Sequence, residues 1–109
     1  MYAIAANTWI WQSPLTDDSL DGLLDKIAEM GFDAVELPLE TTSDFGVDHA
    51  RQALDRTGLR AVTVGVMPDD RNLVATDAQT VLRTQQYLIE GIDIAAAVRE
   101  QNAQFAAGR

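Results

Sequence analysis

The segment KIAEMGFDAVELPLE, residues 26–40, carries the end of a helix, a stop and a strand in one short run. Ile27 and Met30 end an apolar series at helical spacing, and Gly31 stands where a left-handed residue would stop the helix. The apolar run that follows, residues 34–38, has the length and composition of a buried strand. The segment therefore predicts a helix that packs on the strand directly after it.

The same unit recurs on both sides of this segment. Further strands are expected at residues 2–7 and 61–66, and further helices at residues 48–57 and from Thr76 to Gly108. The first helix is expected to start at Thr16, which can cap it, and the second to end at Gly58. The side of the third helix that should be buried is formed by Val81, Leu82, Leu88, Ile92 and Ala95. Three strands alternating with three helices indicate an α/β fold of parallel β/α units with right-handed crossovers.

The predicted strands separate into two faces when each is read with a period of two. One face should carry Ile4, Val35, Leu37, Val62 and Val64, and the other Ala5, Asn7, Ala34, Glu36, Thr63 and Gly65. The first set is bulky and suits a layer of helices, whereas the second set is small and becomes polar toward the strand ends. An open doubly wound sheet needs bulky apolar residues on both faces, so this asymmetry favours a barrel interior that opens into a polar pocket.

The amino-acid composition, above all the net charge, limits the kinds of molecule that the chain is expected to bind. The chain has 109 residues with 17 acidic and 8 basic side chains, which gives a net charge of −9. This charge repels phosphate backbones and anionic lipid, so neither nucleic acid nor a membrane is an expected partner. The absence of cysteine excludes disulfides and thiolate chemistry. The chain shows no basic leader and no apolar run near the roughly 20 residues of a membrane helix, so a cytoplasmic location is expected.

Three motifs in register resemble one known family. NTWIWQSPLTDDSL (residues 7–20), KIAEMGFDAVELPLE (26–40) and GVMPDDRNLVATD (65–77) are similar to the opening of the sugar phosphate isomerase/epimerase family. This is the xylose-isomerase-like TIM barrel family that includes the tagatose and psicose 3-epimerases. The resemblance covers residues 1–97 of a single domain, 1–109, and leaves residues 98–109 as a divergent helical tail. It implies the N-terminal three βα repeats of a (β/α)8 TIM barrel, truncated and incomplete, because a whole barrel takes about 250 residues.

The resemblance also implies a chemistry. Family barrels use a divalent metal, Mn, Mg or Co, and two glutamates that move a proton next to a sugar carbonyl. These ligands and glutamates belong to later strands, which this chain lacks, so the isolated chain is expected to be inactive. The implied partner is a small sugar or sugar phosphate, and the exposed edges of a three-stranded sheet should favour self-association. The alternative to a truncated sugar isomerase or epimerase is a non-catalytic remnant or interaction module that keeps only the first units of the barrel. A third idea, a DNA-repair endonuclease of the same superfamily, is disfavoured by the acidic charge.

Five residues are candidates for binding substrate: Asn7, Trp9, Trp11, Glu36 and Gly65. Either indole can cover the apolar face of a sugar ring, or can simply pack beneath the loop. Asn7 offers a donor and an acceptor to a hydroxyl, or opens an Asx turn. Glu36 interrupts an apolar strand on the inner face and needs a partner, either a ligand or a structural hydrogen bond. Gly65 either lets backbone approach the ligand or makes a plain strand-end turn.

The remaining polar groups are assigned no chemistry. Asp69, Asp70 and Asp77 do not have the spacing of a calcium loop, so they are interpreted as solvated charge. Glu40 is interpreted as a solvated loop residue. His49, the single histidine, has no neighbouring ligand pattern and is expected at the surface.

Overall fold

The computed structural model describes residues 2–107, and the side chains of residues 2–99. Three strands alternate with three helices along the chain. They are β1 (Ala5–Asn7), α1 (Asp17–Glu29), β2 (Ala34–Leu39), α2 (Val47–Thr57), β3 (Arg60–Gly65) and α3 (Ala78–Ala107), with a short 3-10 turn at Thr8–Ile10 after β1. No helix in the described part of the chain combines the length and apolar character that crossing a membrane requires.

The strands form one parallel sheet in the order β1-β2-β3. The predicted parallel β/α architecture is therefore confirmed, and the described sheet is not closed. Asn7 of β1, Glu36 of β2 and Val62 of β3 lie side by side, as do Leu39 and Gly65 at the ends of β2 and β3. The middle strand is thus paired on both sides, whereas β1 and β3 are the edges of the described sheet.

The helix ends follow local signals. Thr16 is the N-cap residue of α1, where its N–H donates to Ser19 Oγ at 3.2 Å. Gly31 and Gly58 follow α1 and α2 with φ of 91° and 74°, the left-handed geometry predicted for both. Helix α3 begins two residues later than predicted, because Asp77 rather than Thr76 caps it by accepting the Thr80 N–H at 2.9 Å.

The core lies between one face of the sheet and the helices. Its strand residues are Ala6, Val35, Leu37, Leu39 and Ala61, and its helix residues include Leu20, Leu24, Ile27, Ala50, Ala53 and Leu54. The alternation predicted for β2 is confirmed, and Ala5 and Asn7 of β1 lie on the predicted face, but Ile4 precedes β1 and is 63% exposed rather than packed under the helices. In β3 the predicted alternation was wrong by one residue, because Val62 and Val64 share the face of Glu36, and Thr63 and Gly65 share that of Leu37. An apolar or small residue at nearly every β3 position leaves its phase undefined in the sequence.

The buried side of α3 also differs from the prediction. Among the side chains of α3 described up to Arg99, Thr84, Tyr87 and Val98 are buried, whereas Leu82 and Ile92 are 61% and 67% exposed. Apolar side chains surround this helix on several sides, so spacing alone did not identify the face that meets the sheet. Leu82, Ile89 and Ile92 consequently form an exposed apolar stripe on α3.

Charged side chains join α1 to α2 on the outside. Arg56 donates to Asp21 at 3.1 Å and to Asp25 at 3.0 Å, and His49 Nε2 lies 2.9 Å from Asp21 Oδ2. Partial removal of Asp21 from water opposes its ionisation, but the hydrogen bonds from Arg56 and His49 outweigh this and lower the pKa of Asp21. His49 is therefore half-buried in a helix–helix contact rather than a free surface residue.

Candidate functional site

Two polar side chains lie in neighbouring strands on the sheet face opposite the helices. Asn7 is the last residue of β1 and Glu36 is its register partner in β2. Their neighbours in sequence, Ala6 and Val35, belong to the core under the helices, so alternation directs Asn7 and Glu36 to the opposite face. This is the face predicted to line a barrel interior. Asn7 also lies at the carboxyl end of β1, and TIM barrels build their sites at the carboxyl ends of their strands.

The amide of Asn7 fixes the loop that follows β1. Its Oδ1 accepts the backbone N–H of Trp9 at 2.8 Å and caps the 3-10 turn at Thr8–Ile10. Of the two roles considered for Asn7, the Asx-type turn is thus present in the structure. The bond uses one lone pair of Oδ1, and the amide nitrogen donates no hydrogen bond within residues 2–99, so the nitrogen is available to a ligand.

Glu36 is half-buried in the middle strand, between Asn7 on one side and Val62 on the other. Within residues 2–99 its carboxylate takes part in no hydrogen bond or ion pair. A partly buried carboxylate without a partner costs stability, which is typical of a group reserved for binding. The structural hydrogen bond considered as the alternative role is not found in this range.

The two indoles have different surroundings. Trp9 is 42% exposed, in the 3-10 turn held by Asn7. Trp11 is half-buried against the core, and the Lys26 ammonium lies 5.1 Å from the centroid of its ring. Trp11 therefore packs beneath the loop against α1, and Trp9 is the indole that remains accessible.

Gly65 lies at the end of β3, on the opposite face from Glu36. It lines an apolar cleft of about 160 Å³ between β3 and α3, together with Leu39, Tyr87 and Leu88. The expectation that Gly65 belongs to the inner face is therefore wrong, for the same reason that the phase of β3 was wrong. If Gly65 contacts a ligand at the inner face, it can do so only through its backbone at the end of β3.

Sequence reasoning missed a pair of residues at the strand ends. The Tyr87 hydroxyl donates to the Leu39 carbonyl and accepts the Val66 N–H at 2.8 Å. The Arg71 guanidinium lies 3.6 Å from the centroid of the Tyr87 ring and donates to the Val66 carbonyl at 2.8 Å and the Glu40 carbonyl at 2.7 Å. Arg71 lies within the motif of residues 65–77, but no spacing pattern assigns it this contact, and Tyr87 is a lone tyrosine among the aliphatic and polar residues of α3.

The acidic loop residues do not gather into a metal site. Asp69 and Asp70 are exposed, Asp77 caps α3, and Glu40 accepts the Ser13 hydroxyl at 2.7 Å, which ties the first loop to the second. In the described part of the chain, no three His, Cys, Asp or Glu side chains lie close enough to hold a metal ion. The residues present therefore do not fit the divalent metal that the family resemblance implies.

Solved structures of sugar epimerases share this fold. A D-allulose 3-epimerase from Methylomonas sp., solved with D-allulose, aligns with a TM-score of 0.79 at 16% identity over 88% of this chain. An L-ribulose 3-epimerase aligns with 0.79 at 18% over 90%, and a D-psicose 3-epimerase, solved in the presence of D-fructose, with 0.72 at 14% over 89%. The chain spans about a third of each of these proteins, 33%, 33% and 34%. No curated protein sequence matches the chain.

The sequence itself matches a family. The family described as "Xylose isomerase-like TIM barrel" matches residues 24–109, a range that starts within α1 and contains β2, α2, β3 and α3. The structural alignments agree with this match in fold. The chain belongs to the xylose isomerase-like TIM barrel family.

Proposed function

We propose that this chain forms one wall of a sugar-binding pocket of the isomerase/epimerase type. The proposed substrate-binding residues are Asn7, Trp9 and Glu36, with Trp11 supporting the loop and Gly65 contributing only backbone. The observation that carries the proposal is the side-by-side placement of Asn7 and Glu36 on the helix-free face, with Asn7 holding the backbone of Trp9, whose indole is accessible. An unpaired carboxylate can accept hydroxyl protons, an amide can donate, and an indole can cover the apolar face of a ring.

The proposed ligand is a small ketose such as D-allulose or D-fructose, the sugars present in the structures of two of the epimerases that share the fold. The family reaction is metal-dependent proton transfer next to the sugar carbonyl. Because the described residues do not provide the metal ligands, we propose that this chain alone binds sugar without turning it over. We also propose that residues 1–109 are one partial barrel domain, with residues 1–97 as the family portion.

Tryptophan fluorescence tests sugar binding. D-allulose should change the emission of the wild type and of Trp11→Phe, and should leave the emission of Trp9→Phe unchanged. Glu36→Gln should weaken binding about tenfold, which corresponds to about 1.4 kcal/mol. Glycerol at equal concentration is the control for a solvent effect. A signal that is the same with glycerol, or a titration that Glu36→Gln leaves unchanged, would contradict the proposal.

Self-association through uncovered surfaces is the second candidate, and it corresponds to an interaction module without catalysis. β1 and β3 are the edges of the described sheet, and the apolar stripe of Leu82, Ile89 and Ile92 lies exposed on α3. Unpaired strand edges and contiguous apolar surface both favour association between copies. The net charge of −9 opposes it, so salt should promote association.

A further inference from the structure

The sheet stops abruptly at the carboxyl ends of β2 and β3. Leu39 and Gly65 are the last register pair, and just beyond them the Tyr87 hydroxyl stands between the Leu39 carbonyl and the Val66 N–H. A side-chain hydroxyl thus occupies a position at which the two strands would otherwise bond to each other. The strands are therefore held together at this point but cannot pair further.

Arg71 secures the segments that leave the two strands. One guanidinium nitrogen reaches Val66, at the start of the loop after β3, and another reaches Glu40, at the start of the loop after β2. The same guanidinium stacks on the Tyr87 ring, which holds it flat against α3. Four backbone groups at two strand ends are in this way satisfied by two side chains.

The loops that follow β2 and β3 border the proposed sugar pocket. Glu36 is three residues before Leu39 in the same strand, and Glu40, whose carbonyl Arg71 holds, also accepts the Ser13 hydroxyl from the loop that carries the indoles. A shift of the β2 end would thus move both Glu36 and the loop of Trp9. We propose that Arg71 and Tyr87 are positioning residues of the sugar site, acting through the ends of β2 and β3. This proposal rests on the proposed function.

The test combines sugar affinity with hydrogen exchange in the full chain. Tyr87→Phe keeps the ring and removes the hydroxyl, and Arg71→Lys keeps the charge but loses the planar group that reaches two carbonyls. Each variant should weaken D-allulose binding at least fivefold. The double variant should weaken it no more than the stronger single variant, because the two residues act as one unit. The Val66 amide should exchange at least tenfold faster in Tyr87→Phe, while amides of α1 stay unchanged.

Val98→Ala is the matched control for general loss of stability. Val98 is buried in the core cluster in a distant turn of α3, so this variant should lower the melting temperature without changing the affinity for D-allulose. Equal loss of affinity in Val98→Ala, or unchanged affinity in Tyr87→Phe, overturns the positioning role alone. If the wild type does not bind D-allulose, the proposed function and the positioning role are both overturned. Faster exchange of the Val66 amide in Tyr87→Phe would in that case still show that the Tyr87 hydroxyl is the partner of this amide.

Discussion

Glu36 is the register partner of Asn7, and the two side chains project from the sheet face opposite the helices. Asn7 already has a partner in the Trp9 N–H, whereas Glu36 has none within residues 2–99. Replacement of the two neighbours should therefore have different effects. Asn7 stabilises the loop after β1, whereas Glu36 lowers the stability of the fold by an amount that a bound ligand can restore.

Replacement of Glu36 should separate stability from binding. We expect Glu36→Gln to unfold with a free energy equal to that of the wild type or up to about 1 kcal/mol higher, because a half-buried charge without a partner is removed. Urea unfolding followed by circular dichroism measures this. Glu29→Gln, at the exposed end of α1, is the control and should change little. A loss of more than about 1 kcal/mol in Glu36→Gln would reveal a stabilising partner for the carboxylate.

The glycines should respond to alanine in opposite directions. Gly58→Ala forces a Cβ into left-handed backbone at φ 74° and should cost about 1–2 kcal/mol. Gly22→Ala lies within α1, where an added Cβ meets no atom within 4 Å, and should stabilise by about 0.5–1 kcal/mol. Thermal unfolding of the two variants beside the wild type measures both effects. Shifts of the same sign would contradict the assigned backbone geometry.

Stability should fall in acid through Asp21. Its pKa is lowered in the folded chain, so its stabilising contribution is present above its ordinary pKa of about 4 and disappears as the pH falls through the lower, folded value. Asp21→Asn should therefore be less stable than the wild type at pH 7, and the difference should shrink below pH of about 4. Urea unfolding across this pH range tests the sign. Gln52→Asn, which replaces one uncharged amide by another at an exposed position of α2, is the control and should show no such dependence on pH.

The exposed stripe on α3 should control association. We expect the wild type to sediment as a mixture of species that grows with concentration and with salt, since salt screens the net charge. Ile92→Lys places a charge at a position that is 67% exposed and should shift the chain toward monomer. Gln52→Lys adds the same charge at an exposed polar position of α2, outside the stripe, and is the control. A wild type that sediments as a monomer at all concentrations would refute the association.

Local signals in the sequence predicted the fold well. The glycine stops at Gly31 and Gly58 and the cap at Thr16 depend on residues within one turn of each other, so spacing alone identified them. The face of β2 was predicted because large residues alternate with small or polar ones there, and in β1 the polar Asn7 indicated the inner face. No such contrast exists in β3 or around α3, and their orientations were misjudged.

Contacts between distant residues were beyond the reach of sequence reasoning. Tyr87 meets Leu39 across 48 positions, and Arg71 meets Glu40 across 31. Such hydrogen bonds depend on where the finished elements lie, and no spacing pattern records them. Of the candidate site, alternation along the strands predicted that Asn7 and Glu36 share a face, whereas their register pairing and the groups that hold the strand ends were found only in the structure.

A strand order identical to the chain order has a further consequence. Within residues 2–107, each strand pairs only with the strand immediately before or after it, as in repeat proteins, where free energy accumulates between nearest neighbours. In this arrangement the free energy of folding increases with each β/α unit that is added. The earlier units can therefore associate favourably without closure of the sheet into a barrel. Damage to the final unit should consequently spare the association of the first two.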